Sequence, residues 1–196
     1  MPKIGMETIR RNQLIDATIA SIHEDGLAET TVARISRRAG LSTGIVHHYF
    51  RGKEDLVAAT LRRLLTDIRN SVSTRLALAT TPMARIDAII DGNFADEQFT
   101  AQAVSAWLTF WAQVPHVPAL ARLQRVNSER SLSNIRHGLK QMLPAERAET
   151  VSVGLSALID GLWLRCAMSA DLDGETARRI ARAYVLESLG RTAAEG

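Results

Sequence analysis

Side chains able to do chemistry are concentrated in one short segment near the N-terminus. Residues 40–44 read GLSTG, which matches the G-x-S-x-G pattern of serine hydrolases, and two adjacent histidines follow at His47 and His48. A serine beside a histidine base suggests nucleophilic catalysis, and paired histidines suggest a zinc site. Hydroxyl and ring donors beside arginines suggest instead a surface that reads nucleic acid.

The catalytic and metal interpretations lack their structural context. A nucleophile elbow needs a buried strand leading into the serine, whereas Ser42 follows an arginine-rich segment with helical spacing. No complete triad or oxyanion loop can be assigned, so we expect no catalytic residue and no enzyme; a small helical hydrolase using Ser42 is kept only as the alternative. Adjacent helical positions point about 100° apart, so His47 and His48 cannot bind one ion from the same face, and we predict no metal site.

The elements around Ser42 are predicted to be helices. Residues 7–25 repeat apolar residues at helical spacing, and Gly26 is expected to end that helix. Thr31 can cap a second helix over 31–39, and Ser42 can cap a third beginning at residue 43. Two short helices joined by a tight turn have the proportions of a helix-turn-helix, whose second helix enters the major groove of DNA.

The rest of the chain also has helical spacing, with breaks at proline and glycine. A long fourth helix is expected from about residue 53 to 78, and Pro144 suits the first helical position of a later one. No segment alternates with a period of two. The sequence therefore predicts an all-α fold of about nine helices, the later ones near residues 83–94, 100–113, 118–143, 144–170 and 175–189.

Charge and cysteine content limit the partners and the compartment. Residues 1–53 hold eight lysines or arginines and five acids, so they carry the whole net charge of +3 and favour a polyanion as partner. Cys166 is the single cysteine, which excludes an intrachain disulfide. The N-terminus lacks an apolar stretch and no run of 18 apolar residues occurs, so we expect a cytoplasmic protein that does not span a membrane.

The helix-turn-helix segment resembles a known family. Its arrangement reads Thr31-x3-Ile35-x3-Ala39-Gly40-Leu41-Ser42-x-Gly44-x4-Tyr49-Phe50-x2-Lys53-x2-Leu56, similar to the signature of the TetR family of bacterial repressors over about residues 8–68. The resemblance implies a homodimer that binds double-stranded operator DNA through residues 1–53, a module extending into the linking helix to about 68. Residues 54–196 would form an effector-binding and dimerisation domain.

The expected DNA contacts combine residue types with this resemblance. The resemblance implies that Thr43 and the two histidines face bases or nearby backbone, and that Thr31, Tyr49 and Lys53 face phosphates. The residue types add donors at the start of the third helix, a glycine that permits close approach and a cation on the preceding helix. The predicted DNA-binding residues are Thr31, Arg34, Ser42, Thr43, Gly44, His47, His48, Tyr49 and Lys53.

Aromatic residues of the C-terminal part suggest a site for a small molecule. Trp107 and Trp111 share a helix face, and Asp160 and Trp163 are three residues apart. Aromatic faces with a carboxylate suit a quaternary ammonium ion, although such residues could also form ordinary core. The predicted ligand-binding residues are Phe94, Trp107, Trp111, Asp160 and Trp163.

A closer resemblance extends over nearly the whole chain. The stretches GNF at 92–94, AWLTFW at 106–111 and ALIDGLWLR at 157–165 are similar to BetI-type repressors, the choline-responsive regulators of glycine betaine synthesis genes. The resemblance implies choline as effector, with no further cofactor, and control of osmotic-stress genes; a TetR-type repressor with a different effector is the alternative. Helices 144–170 and 175–189 carry apolar and small-residue stripes that we expect to form the dimer surface, unless both stripes serve one intramolecular core.

Overall fold

A computed structural model describes residues 6–169 and 171–190 of the chain. Over these residues all regular structure is helical, which confirms the predicted all-α class. A single 3-10 turn, Asp96–Phe99, was not expected from the sequence. The helices are α1 Met6–Glu29, α2 Val32–Arg38, α3 Thr43–Tyr49, α4 Lys53–Leu76, α5 Pro82–Asn93, α6 Ala101–Gln113, α7 Pro118–Leu139, α8 Ala145–Met168 and α9 Gly174–Ser188.

Side-chain caps fix several helix starts. The Thr31 hydroxyl accepts a hydrogen bond from the Arg34 amide at 3.2 Å, as the sequence predicts for the start of α2. At α9 the carboxylate of Asp173 accepts from the Thr176 amide at 2.7 Å. That hydrogen bond favours the ionised carboxylate, so it lowers the pKa of Asp173.

Gly26 adopts φ 73° and ψ 166°, outside the helical region, so the regular helix predicted over 7–25 stops there, and a further helical turn follows this kink to Glu29. Two predicted helix starts differ in detail from the structure. Ser42 occupies the N-cap position of α3 but its side chain makes no cap hydrogen bond. Pro144 has ψ 149° and is itself the N-cap of α8, because this extended conformation lies outside the first helical residue.

The described residues form two compact units, the first from within 1–66 and 100–124 and the second from within 67–99 and 125–196. We call them unit 1 and unit 2. This division by compactness does not follow the predicted functional boundary at residue 53, which stays a prediction. Because the unit boundaries fall within them, α4 and α7 contribute residues to both units.

Unit 1 has a core made by α1 to α4. Ile35, Val46 and Phe50 are almost completely buried in it, together with Leu14 and Leu56. Burial of large apolar side chains contributes about 1.5–3 kcal/mol each, so this cluster fixes the short helices α2 and α3 against α1 and α4. Elsewhere in unit 1, α6 packs along α1.

Unit 2 is built from α5, α8 and α9, with the adjoining parts of α4 and α7. Ile86, Leu155 and Val185 are fully buried on three of these helices. Gly92 allows α5 to approach α4 closely, because a Cβ atom there would lie 2.8 Å from the Cα atom of Val72. A backbone neighbour cannot yield as a flexible side chain can, so a larger residue at this position would push the helices apart.

Candidate DNA-reading surface and effector site

The start of α3 presents polar groups to solvent. Ser42, Thr43 and Gly44 are exposed. The first amides of any helix lack intrahelical acceptors, and here the Ser42 side chain does not supply one. Two hydroxyls and free backbone donors therefore lie together at the helix start, as a phosphate or base contact requires.

The outward and inward faces of α3 are clearly separated. His47 and His48 are exposed, while Val46 is 0% and Phe50 2% exposed. Ile45 is only half-buried, so Val46 takes the deep position one turn before Phe50. The inward pair anchors the helix in the core of unit 1 and leaves both imidazoles available to a partner.

Tyr49 is less available than the sequence suggests. Its side chain is half-buried, and its ring packs edge-on against the His48 ring with the centroids 4.8 Å apart. A contact from Tyr49 to a phosphate would therefore be made by the accessible part of the ring and its hydroxyl.

Two basic residues predicted for DNA already have partners inside unit 1. Arg34 pairs with Asp25 at 3.0 Å, and its second contact, to Glu29, is at 4.0 Å. The Lys53 ammonium donates to the Leu27 carbonyl at 2.6 Å, beside the kink of α1. Both cations would have to exchange or share these partners in order to hold a phosphate.

The remaining arginines of α2 differ from each other. Arg38 forms a two-pronged ion pair with Glu24, which lowers the pKa of that carboxyl because the guanidinium stabilises its charge. The Arg37 side chain is exposed and makes no hydrogen bond or ion pair among the described residues, and the Arg51 side chain after α3 has no partner there either. The net charge of the segment does not reveal this difference, because only the fold shows which arginine side chains already form ion pairs.

Ser42 has none of the neighbours of a catalytic serine. It follows α2 and a turn, where a nucleophile elbow requires a strand, and no hydrogen bond among the described residues joins it to a histidine.

Unit 2 contains a row of three aromatic rings. The rings of Phe94 and Phe99 lie 6.4 Å apart at 5° to each other, and Phe99 and Trp163 lie 5.6 Å apart at 27°. Phe94 and Trp163 are buried, whereas Phe99 is half-buried. Phe99 joins two predicted site residues and was itself missed; its position five residues after Phe94, in the same aromatic and acidic segment, was the available signal.

The backbone of Phe94 is also held in place. Arg178 of α9 donates from its guanidinium to the Phe94 carbonyl at 2.7 Å. A charged donor makes a stronger hydrogen bond than a neutral one, so α9 fixes the end of α5 from which Phe94 projects.

Asp160 on α8 is accessible but partly desolvated. The residue is exposed, yet burial raises the pKa of its carboxyl because the surrounding protein displaces part of its hydration. A cation beside this carboxylate would interact with it more strongly than in bulk water, because the carboxylate has lost part of its hydration.

The other two predicted effector residues lie on α6 in unit 1. The Trp107 and Trp111 rings are 6.1 Å apart at 47°, with Trp107 buried and Trp111 half-buried. The same helix packs against α1, where the His23 ring nitrogen Nδ1 lies 2.8 Å from the Ser105 hydroxyl. These tryptophans therefore stand on the helix that contacts the N-terminal part of the chain.

One face of α8 is exposed and largely apolar, with the exposed Asp160 among its apolar residues. Val153 is 51%, Leu164 37% and Met168 71% exposed, and Ala157 and Gly161 on the same side are exposed as well. By length and composition α8 could cross a membrane, a test that core helices also pass, and only a third of its most apolar stretch is buried. The exposed face is larger than single scattered apolar residues would make, which indicates a partner surface.

A helix-turn-helix with an outward-facing α3, followed by a larger all-helical part, is typical of a DNA-binding transcriptional regulator. Residues 14–60 match the family described as bacterial regulatory proteins, tetR family, and residues 82–190 match the BetI-type transcriptional repressor C-terminal family. The chain belongs to the TetR family and carries the BetI-type C-terminal domain.

Curated relatives agree with this assignment over nearly full length. The HTH-type transcriptional regulator BetI 2 of Chromohalobacter salexigens is 50% identical over 94% of this chain and 91% of its own. The HTH-type transcriptional regulator BetI of Escherichia coli is 47% identical over 96% and 98%. A transcriptional regulator from Saccharomonospora viridis, solved in complex with choline, shares the fold with a TM-score of 0.77 at 20% identity, over 91% of this chain and 96% of that one.

Proposed function

We propose that this transcriptional regulator is a homodimeric repressor of genes for choline uptake and glycine betaine synthesis, with choline as its effector. The observation that carries the choline assignment is the aromatic row of Phe94, Phe99 and Trp163 in unit 2, with the accessible and partly desolvated Asp160 on the same helix as Trp163. A quaternary ammonium has no N–H to donate, so ring faces and one carboxylate are the groups that recognise it. The BetI-type resemblance implies the same ligand, and choline has a precedent on this fold.

In this proposal α3 reads the operator. Ser42, Thr43 and the exposed His47 and His48 contact bases or nearby backbone, and Gly44 permits their close approach. Thr31, Arg34, Tyr49 and Lys53 contact phosphates, the two cations by exchanging their present partners. Because its target is DNA, the protein acts in the cytoplasm.

The dimer forms through the exposed face of α8, with α9 beside it. An isologous contact about a two-fold axis would cover Val153, Leu164 and Met168 of both protomers. Two α3 helices would then read the two halves of a pseudo-palindromic operator.

Effector binding is coupled to DNA binding through helices that begin or pack in unit 1. One route is α4, since it leaves the DNA-reading segment directly. Because α6 carries Trp107 and Trp111 and packs on α1, a shift of α6 offers a second route to the DNA module. A choline-induced change in half-site spacing must alter operator affinity, by linkage.

The test combines calorimetry with operator titration. Choline should bind the parent protein, and Phe99→Leu should weaken binding about 2- to 30-fold, as the loss of one cation–π contact predicts. Tyr184→Leu, which removes a half-buried aromatic ring of unit 2 that lies outside this row, is the matched control and should leave choline affinity unchanged. Saturating choline that leaves operator affinity unaltered would exclude choline as effector, and DNA binding would stand independently.

A further inference from the structure

Arg11 of α1 contacts the C-terminal end of α3 in two ways. Its guanidinium donates a hydrogen bond to the Tyr49 carbonyl at 2.8 Å. The guanidinium carbon also lies 4.5 Å from the centroid of the Phe50 ring, in cation–π geometry. Arg11 is half-buried, so both contacts form in a partly water-excluded setting.

The end of α3 needs such support. The helix has seven residues, and a helix of this length is not stable alone. Its last carbonyls lack intrahelical donors, apart from the Val46 carbonyl that receives the Phe50 amide at 2.8 Å. Val46 is the single buried side chain within α3, and Phe50 and Tyr49 hold its C-terminal end against the core, so the contacts of Arg11 act on the two residues that place this end. A cation at the C-terminal end also interacts favourably with the helix dipole.

We propose that Arg11 is a positioning residue for operator reading: it fixes the C-terminal end of α3 and thereby the placement of His47 and His48, without touching DNA itself. This inference rests on the proposed DNA-reading function of α3. Arg11 is half-buried and holds α3 by two contacts, to the Tyr49 carbonyl and to the Phe50 ring, whereas the Arg37 side chain is exposed and makes no hydrogen bond or ion pair among the described residues.

A positioning role and a phosphate contact have different signatures. Loss of a phosphate contact weakens binding to every sequence and lowers the slope of log affinity against log salt by about 0.9. Misplacement of α3 weakens binding only where bases are read, because the backbone contacts that carry nonspecific affinity remain. General destabilisation of the fold lowers specific and nonspecific binding in the same proportion.

The experiment compares two duplexes across a salt series: an operator selected from random-sequence DNA by the parent protein, and an unrelated duplex. Arg11→Leu should lower operator affinity about tenfold, the scale of one base contact, with nonspecific affinity within about twofold and an unchanged salt slope. Arg11→Lys keeps a donor for the Tyr49 carbonyl and should recover most of the loss. If circular dichroism shows that Arg11→Leu does not fold, Arg11→Gln replaces it.

Arg37→Leu is the matched control, since it removes the same charge from the same module; its ratio of specific to nonspecific affinity should stay at the parent value. Equal loss on both duplexes with a shallower slope would show that Arg11 binds phosphate and overturn the inference, as would parental behaviour of the Arg11 variants. A failure of the proposed DNA-reading function would appear in the parent protein itself, so the two failures are distinguishable.

Discussion

Gly161 of α8 offers a sharp test of the proposed dimer surface, because its surroundings in the protomer are empty. A Cβ atom at this position would meet no heavy atom within 4 Å. In an isolated protomer Gly161→Ala should therefore stabilise by about 1 kcal/mol, since alanine is the better helix former. Gly161→Leu should be tolerated nearly as well, because the added side chain would extend into open space.

The expectation reverses if a partner packs on this face. Overpacking a close helix contact costs about 1–3 kcal/mol per site, and two-fold symmetry places the substitution in the interface twice. Gly161→Leu should then weaken the dimer by about 2–6 kcal/mol. This raises the dissociation constant by a factor between about 30 and more than 10,000.

Sedimentation equilibrium over a concentration series measures the dissociation constant directly, and thermal unfolding at matched concentrations reports protomer stability. Arg147→Leu, an exposed change near the start of the same helix, is the control and should leave the dimer intact. If Gly161→Leu keeps the parental dissociation constant and unfolds at a higher temperature, the exposed face of α8 is not the dimer contact.

Four further outcomes are expected. Gly92→Ala should destabilise the protein by about 1–2 kcal/mol, seen as a fall of a few degrees in the unfolding midpoint, because the clash with the Val72 backbone exceeds the gain in helix propensity. Calorimetry at several pH values should show a constant choline affinity above the raised pKa of Asp160 and a falling affinity as the pH drops through it, because the cation needs the ionised carboxylate. The Asp160→Asn variant should bind choline weakly and lose this pH dependence. His47→Ala should lower operator affinity and change the preferred base in a binding selection, and an unchanged preference would remove this histidine from the reading surface. Lys53→Ala should weaken binding to all sequences and reduce the salt slope by about 0.9; an undiminished slope would mean that its ammonium stays on the Leu27 carbonyl.

Helix positions could be predicted well from local chemistry. Thr31 caps α2 because a side-chain hydroxyl followed by a helical apolar pattern is a local signal, and Pro82 marks the start of α5 for the same kind of reason. The further helical turn after Gly26 could not be predicted from the sequence, because its formation depends on what packs against residues 27–29. Here the Lys53 ammonium contacts the carbonyl of Leu27 just after the kink.

Predictions about the site depended on different information. The exposure of His47 and His48 follows from their spacing around Val46 and Phe50, which one helix fixes by itself. Spacing along α2 does not show which of its arginines already form ion pairs, because the acids that pair with Arg34 and Arg38 come from α1. The stacking of Phe99 on Trp163 could not be predicted from the sequence either, because Trp163 lies on a different helix, α8.

The sequence by itself determined that this chain is all-helical, where its helix-turn-helix lies and which family it belongs to, because helical periodicity, caps and the spacing of the signature are local along the chain. Only the tertiary structure decided which charges are already paired, that Phe99 joins Phe94 to Trp163, and that one face of α8 is left uncovered. Those properties depend on how different helices pack against one another, as when α1 supplies the acids for Arg34 and Arg38 and α8 supplies the Trp163 ring for Phe99. The residues that contact each other are determined when the helices pack, and they cannot be predicted from a local sequence pattern.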